Sequence, residues 1–268
     1  MKKFITMILG LMLLSNLLVL DSSADALPSK SGVHLKVDKF VILYTKPSGP
    51  FVDKNHRLLI PLRAYEDLFG GKVTYQTSTK TASLEWLDQK FQFTVGSEEA
   101  KVNNEELLMD TVPVLKEGAM FLPIRLFLDQ TDMKYHWDKK LELLVIDDER
   151  VIVGEPFKSF EGNDLYSDNP DGRFRINNFT ISQKKNKTFQ LTINAINISG
   201  KDIEKGQADI HPLVDFGGNY GGFATDSYSR PFYPAIPRIK KDQEIAVTRT
   251  FPAEEVNYII TVAREFSQ

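Results

Sequence analysis

Cysteine is absent from the 268 residues, and histidine occurs only four times, as His34, His56, His136 and His211. No disulfide can staple the chain, and no lipid-modified cysteine can anchor it. No two of the histidines share the spacing of a metal pair. Nucleophile-elbow, glycine-rich phosphate-loop and zinc signatures are also missing. Charge of a single sign is scarce: the net value is −3, with acidic and basic residues interspersed. That excludes a basic face for nucleic acid or anionic lipid. Long apolar runs are confined to residues 4–20.

That run follows Met1-Lys2-Lys3 and ends near Ala24-Asp25-Ala26. A positive start, an apolar stretch slightly short for a span and small residues at the end form a secretory signal peptide over 1–26. The other reading is an uncleaved anchor. Lys2 and Lys3 cancel Asp21 and Asp25, so removal leaves the net charge unchanged. The remaining length of about 240 residues suffices for two domains. A cysteine-free secreted chain fits a Gram-positive exterior, with cell-wall association as one expectation, so the Asn-x-Ser/Thr triplets at Asn178, Asn186 and Asn197 read as turn and strand chemistry rather than glycan sites.

One segment occurs twice. Leu59-Ile60-Pro61-Leu62-Arg63 returns as Phe121-Leu122-Pro123-Ile124-Arg125, an offset of 123 − 61 = 62. Lys72-Val73-Thr74-Tyr75 meets Lys134-Tyr135-His136-Trp137 at the same spacing. A shared register this long predicts a duplicated supersecondary unit, with Pro61, Arg63 and Tyr75 matching Pro123, Arg125 and Trp137. Apolar-x-Pro-Leu-Arg, then a short helix, then a Gly-Lys-Val-x-aromatic hairpin resembles the copper amine oxidase N-terminal-like (stalk) domain of secreted Gram-positive proteins. The resemblance implies a non-catalytic appendage and supplies no reaction.

The expected fold class is α+β: a duplicated ββαββ stalk domain over 33–148, a linker over 149–172 and an antiparallel β-sandwich over 173–268. Residues 33–42 alternate and read as one strand. Helices are expected near Pro61 and Pro123, each proline at a first turn where its missing N–H costs nothing. A hairpin should follow each helix. Charged and turn-rich residues mark the linker. Beyond it, 173–181, 189–198, 208–215, 243–251 and 258–263 read as short strands separated by turns. Phe189 to Gly200, Val214-Asp215-Phe216-Gly217-Gly218-Asn219-Tyr220 and Arg249-Thr250-Phe251-Pro252 resemble an Ig-like accessory domain of the telokin-like class. Lys240-Lys241-Asp242 stands where that class has Pro-Gly.

Candidate sites are few. Copper amine oxidase catalysis needs a quinone-forming Tyr in Asn-Tyr-Asp/Glu and three His ligands. Asn219-Tyr220 is followed by Gly221 and Asn257-Tyr258 by Ile259, so amine oxidation, metal and cofactor are all expected to be absent. Ser167, Asn169, Asp171 and Gly172 have the spacing of a calcium loop, but its twelfth position is Asn178, not a bidentate Glu. The alternative there is a turn with Asx bonds. Glu98-Glu99 and Glu254-Glu255 point to opposite faces of a strand and form no dyad. Arg63 and Arg125 read either as anion ligands or as guanidinium groups stacked on Tyr75 and Trp137. Tyr220, Phe223, Tyr228, Phe232 and Tyr233 lie in an aromatic, glycine-rich stretch over 216–237, of the kind that contacts ligands or stacks on sugars. Two functions are weighed: a secreted, non-catalytic envelope module binding wall glycan or another exported protein, and a hydrolase with a site in the C-terminal domain.

Overall fold

The computed structural model describes residues 31–164, 169–184, 188–216, 222–225, 235–252 and 255–266. The signal segment lies outside the described residues. The described chain is mostly strand with few helices, arranged in several sheets, an α+β-like architecture. None of its helices is long and apolar enough to cross a membrane.

Strands Leu58–Pro61 and Ala119–Pro123 run straight into helices α1 (Leu62–Asp67) and α2 (Ile124–Gln130). Both prolines are extended cap residues, one position outside the helix, with φ of −60° and −66°. A ring fixed near that φ ends the strand and sets the chain for a helical turn. The two strands pair antiparallel with Ile60 opposite Leu122, residues 62 apart, with Pro61 opposite Phe121 and Pro123 opposite Leu59. A local two-fold axis therefore passes between Ile60 and Leu122. Buried Tyr65, Phe69, Trp86 and Phe127 form an aromatic cluster across that axis.

Each helix is followed by a hairpin, Lys72–Gln76 with Thr81–Trp86 and Tyr135–Asp138 with Leu143–Ile146. Residues 33–42, expected as one strand, are instead a hairpin, Leu35–Val37 with Phe40–Thr45. Asp38 turns the chain at φ 50°, a conformation that Asp tolerates better than most residues. Asn103 and Asn104 turn a like-placed hairpin, Glu99–Val102 with Glu105–Leu108, at φ 51° and 71°. One sheet is a five-stranded meander from Lys72–Gln76 to Glu105–Leu108.

The largest sheet has seven strands and reaches from Tyr135–Asp138 at one edge to Gly222–Thr225 at the other. It is not wholly antiparallel, because Leu143–Ile146 pairs parallel with Leu35–Val37. Phe40–Thr45 pairs with Val256–Glu265, which in turn pairs with Ala208–Phe216. The strands before and after 149–172 thus share one ladder. Both faces of Val256–Glu265 are buried. Tyr258, Ile260 and Val262 face the core with α1 and α2, while Ile259 and Ala263 face a second core. That second core is closed by a four-stranded antiparallel sheet built on Phe174–Lys184, Thr188–Asn197 and Glu244–Phe251.

The segment read as a linker contains helix α3, Glu155–Asn163, with proline in its first turn. Phe157 and Phe160 pack on Phe40 at ring distances of 4.9 and 5.3 Å. Burying two such rings contributes roughly 1.5–3 kcal/mol each, enough to hold the segment down. Gly154 precedes the helix, and its N–H bonds the Leu68 carbonyl at the end of α1.

Candidate functional site

The helix–hairpin units place one charged pair each. Arg63 Nε donates to Asp67 at 2.9 Å, and Arg125 Nε donates to Asp129 at 3.4 Å. Both are i,i+4 pairs with exposed guanidinium groups. The expected stacking of these groups on Tyr75 and Trp137 is not what forms. Among the described residues the rings that carry a cation are Phe40, Phe51 and Phe121, under Lys39 and Lys116. The physical reason is reach: an aspartate one helical turn on is nearer than a ring on the hairpin.

The surroundings of the two pairs differ. At the first, Tyr258 of the C-terminal strand donates its hydroxyl to Asp67 Oδ2. Burial and the Asp67 carboxylate push the Tyr258 hydroxyl far above the usual phenol range. Asp215 stands nearby, its carboxyl raised by burial and by Asp67. At the second pair, Asp129 accepts instead from Tyr135, a residue of its own hairpin.

That second pair borders an open groove of about 360 Å³. Its floor is Leu58, Ile124, Leu128 and Leu144, and its walls carry Trp137, Tyr135, Arg125, Arg57, His34 and His56. Trp137 is 57% exposed, whereas Trp86 is buried. Arg57 is paired with Asp110 and Arg125 with Asp129, so the rim is polar but close to neutral. Burial pushes the His34 imidazole below its usual range, keeping it neutral. Such a site offers an aromatic plate, an apolar floor and a ring of N–H donors. It suits a neutral, hydroxyl-rich ligand with one apolar face.

Of the site residues expected from sequence, Arg125 and Trp137 come together here. Pro61, Arg63, Pro123 and Tyr75 do not line the groove. Tyr220, Tyr228, Phe232 and Tyr233 lie outside the described residues, and Phe223 is placed only by its backbone, opposite Asp215. Sequence reasoning missed His34, His56 and Arg57. They belong to separate turns and strands, and only the pairing of Leu35–Val37 with Leu143–Ile146 brings His34 to the groove. His136 pairs with Asp147 at 3.2 Å, and His211 is buried against Phe160. Among the described residues no group of three His, Cys, Asp or Glu is arranged to hold a metal. Ser167 of the calcium-like loop lies outside the described residues, while Asp171 pairs with Lys36.

No match is found among curated proteins. Residues 43–146, the stretch that holds both helices and both of their hairpins, match the family model of the copper amine oxidase N-terminal domain.

Proposed function

We propose that this protein is a secreted, non-catalytic binding module of a Gram-positive cell envelope, and that the Trp137 groove takes wall glycan. The matched family is that of an accessory domain, which supports a non-catalytic role. The observation that carries the glycan reading is Trp137, an exposed indole set beside Tyr135 over an apolar floor, within a charge-paired rim. A sugar ring presents an apolar face to such a plate and hydroxyls to Arg125 and Arg57. In this reading the stalk domain is a duplicated ββαββ unit, and the C-terminal sheets form an Ig-like sandwich leaning on it.

The chain has two tryptophans, and Trp137 is the exposed one. A soluble oligomer of β-1,4-linked N-acetylglucosamine should change intrinsic fluorescence saturably. Trp137→Ala should remove the response, and Arg125→Ala should weaken it without lowering Tm. An unchanged spectrum, with no retention of the protein on purified cell wall, overturns the reading. The second reading, a hydrolase, draws on the Asp67, Asp215 and Tyr258 cluster. Hydrolysis of wall fragments that is lost in Asp215→Asn would favour it.

A further inference from the structure

The second helix–hairpin unit has an open side that, in the first unit, is filled by a strand of the same chain. The strand orders run in parallel. In the seven-stranded sheet, Tyr135–Asp138, Leu143–Ile146, Leu35–Val37 and Phe40–Thr45 follow one another, and Val256–Glu265 comes next. In the five-stranded sheet, Lys72–Gln76, Thr81–Trp86, the inserted Gln89–Thr94, Glu99–Val102 and Glu105–Leu108 follow in the same sense, and there the sheet ends. Val37 opposite Phe40 corresponds to Val102 opposite Glu105, each pair closing a two-residue turn. Ile42 then corresponds to Leu107 and Val41 to Glu106. Both Ile42 and Leu107 pack on the first core.

In the filled copy, Val256–Glu265 pairs antiparallel with Phe40–Thr45, setting Ile260 opposite Ile42 and Thr261 opposite Val41. Its Tyr258 passes between that strand and α1 to reach Asp67. In the open copy, the space between Glu105–Leu108 and α2 is a groove of about 380 Å³. Leu107, Met109, Pro123 and Leu126 line it, with Arg125 and Asp129 at one side. A two-residue turn after Val102 makes Val102–Glu105 the hydrogen-bonded pair, which directs the N–H and C=O of Glu106 and Leu108 to the free side. Leu108 is 75% exposed on that edge.

We propose that this edge binds an extended segment of another polypeptide by strand addition. The segment lies antiparallel to Glu105–Leu108, with an apolar residue opposite Leu107, a lysine or arginine opposite Glu106 and an aromatic residue in the Arg125–Asp129 groove. Main-chain bonds supply affinity and the alternate side chains supply selectivity. Glu105 and Glu106 decide the partner's charge. They also disfavour a second copy of this chain, because antiparallel self-pairing would crowd four glutamates on one short ladder. The proposal rests on the reading of this protein as a binding module with two like-built units, and it names a polypeptide partner for a second groove, which meets the Trp137 groove at Arg125.

The probe is a synthetic peptide with the sequence of Val256–Glu265 carrying Thr261→Lys, which sets a lysine opposite Glu106. Hydrogen exchange by NMR should show the Glu106 and Leu108 amides protected only when the peptide is present. Glu106→Pro removes an outward N–H, a change edge strands tolerate, and should weaken binding about tenfold or more. If that variant misfolds, Leu108→Lys places a repelling charge on the edge and should have the same effect. Absent binding, protection at another edge, indifference to both variants, or dimers of the protein that Glu106→Pro dissolves would each overturn the proposal. The glycan-induced change at Trp137 should survive in Glu106→Pro. Loss of glycan binding alone, with peptide binding intact, would strike the glycan reading and leave this one standing.

Discussion

Asp67 and Asp129 perform one task in two settings. Each accepts from an arginine four residues earlier and from a tyrosine hydroxyl, but one tyrosine comes from the distant strand Val256–Glu265 and the other from the adjoining hairpin. The arginines are exposed, and such i,i+4 pairs contribute only about 0.3–0.5 kcal/mol. Their repetition therefore does little for stability. Tyr65 is the contrasting residue. Its ring is wholly buried among Phe69, Trp86 and Phe127, and its hydroxyl has no hydrogen-bond partner among the described residues. A buried hydroxyl left unpaired costs about 1–3 kcal/mol. Tyr65→Phe keeps the ring and removes the penalty, so it should raise stability by about 1 kcal/mol in urea denaturation. A loss of stability of that size would mean that the hydroxyl has a partner after all.

At the scale of elements, α3 is held by the approach of its cap residue, Gly154, to another helix end. A Cβ on Gly154 would come within 2.4 Å of the carbonyl oxygens of both Asp67 and Leu68. Those atoms belong to backbone and cannot swing aside. Gly154→Ala should cost about 2–3 kcal/mol, the scale of overpacking, read as a lower urea midpoint with an unchanged slope. The signals for this helix were present in the sequence: Pro156 at a first turn, and Phe157 and Phe160 three apart. They were outweighed by charged and turn-forming neighbours. Five strands of the C-terminal half were legible to within about three residues, as where Thr188–Asn197 alternates buried and half-buried positions throughout, whereas Gly222–Thr225 lay hidden in the aromatic, glycine-rich stretch over 216–237. The hairpin at Asp38 was not legible, since its turn has no glycine and its two arms read as one alternating strand. Strand partners were not legible either. Local periodicity says that Phe40–Thr45 and Val256–Glu265 are strands, but nothing in it says that they lie side by side. The groove followed the same division: Arg125 and Trp137 were marked by the repeat, while His34 and Arg57 reach it through long-range pairing.

Across the whole molecule, the seven-stranded sheet makes the two cores depend on each other. Arg264, on its last strand, is 1% exposed and bonds Asp209 at 2.8 Å and both oxygens of Asp164, at 2.6 and 2.8 Å. This ties the end of α3 to the C-terminal ladder. Removing the cation takes away the buried guanidinium that both carboxylates share, so Arg264→Met should cost about 3–5 kcal/mol. Because strands of both halves share one ladder, calorimetry should show a single transition, shifted as a whole in the variant. Two separable transitions, only one of them moved, would refute that coupling.

The place of Val256–Glu265 also sets a timetable. It is the last strand in chain order, yet it fills the slot between Phe40–Thr45 and Ala208–Phe216. A nascent chain that has reached residue 250 holds a sheet with a gap at its centre, and its first core lacks Tyr258, Ile260 and Val262. The sheet that joins the two halves is therefore complete only when the chain has been made as far as Glu265, and shortening it from that end should cost both cores together.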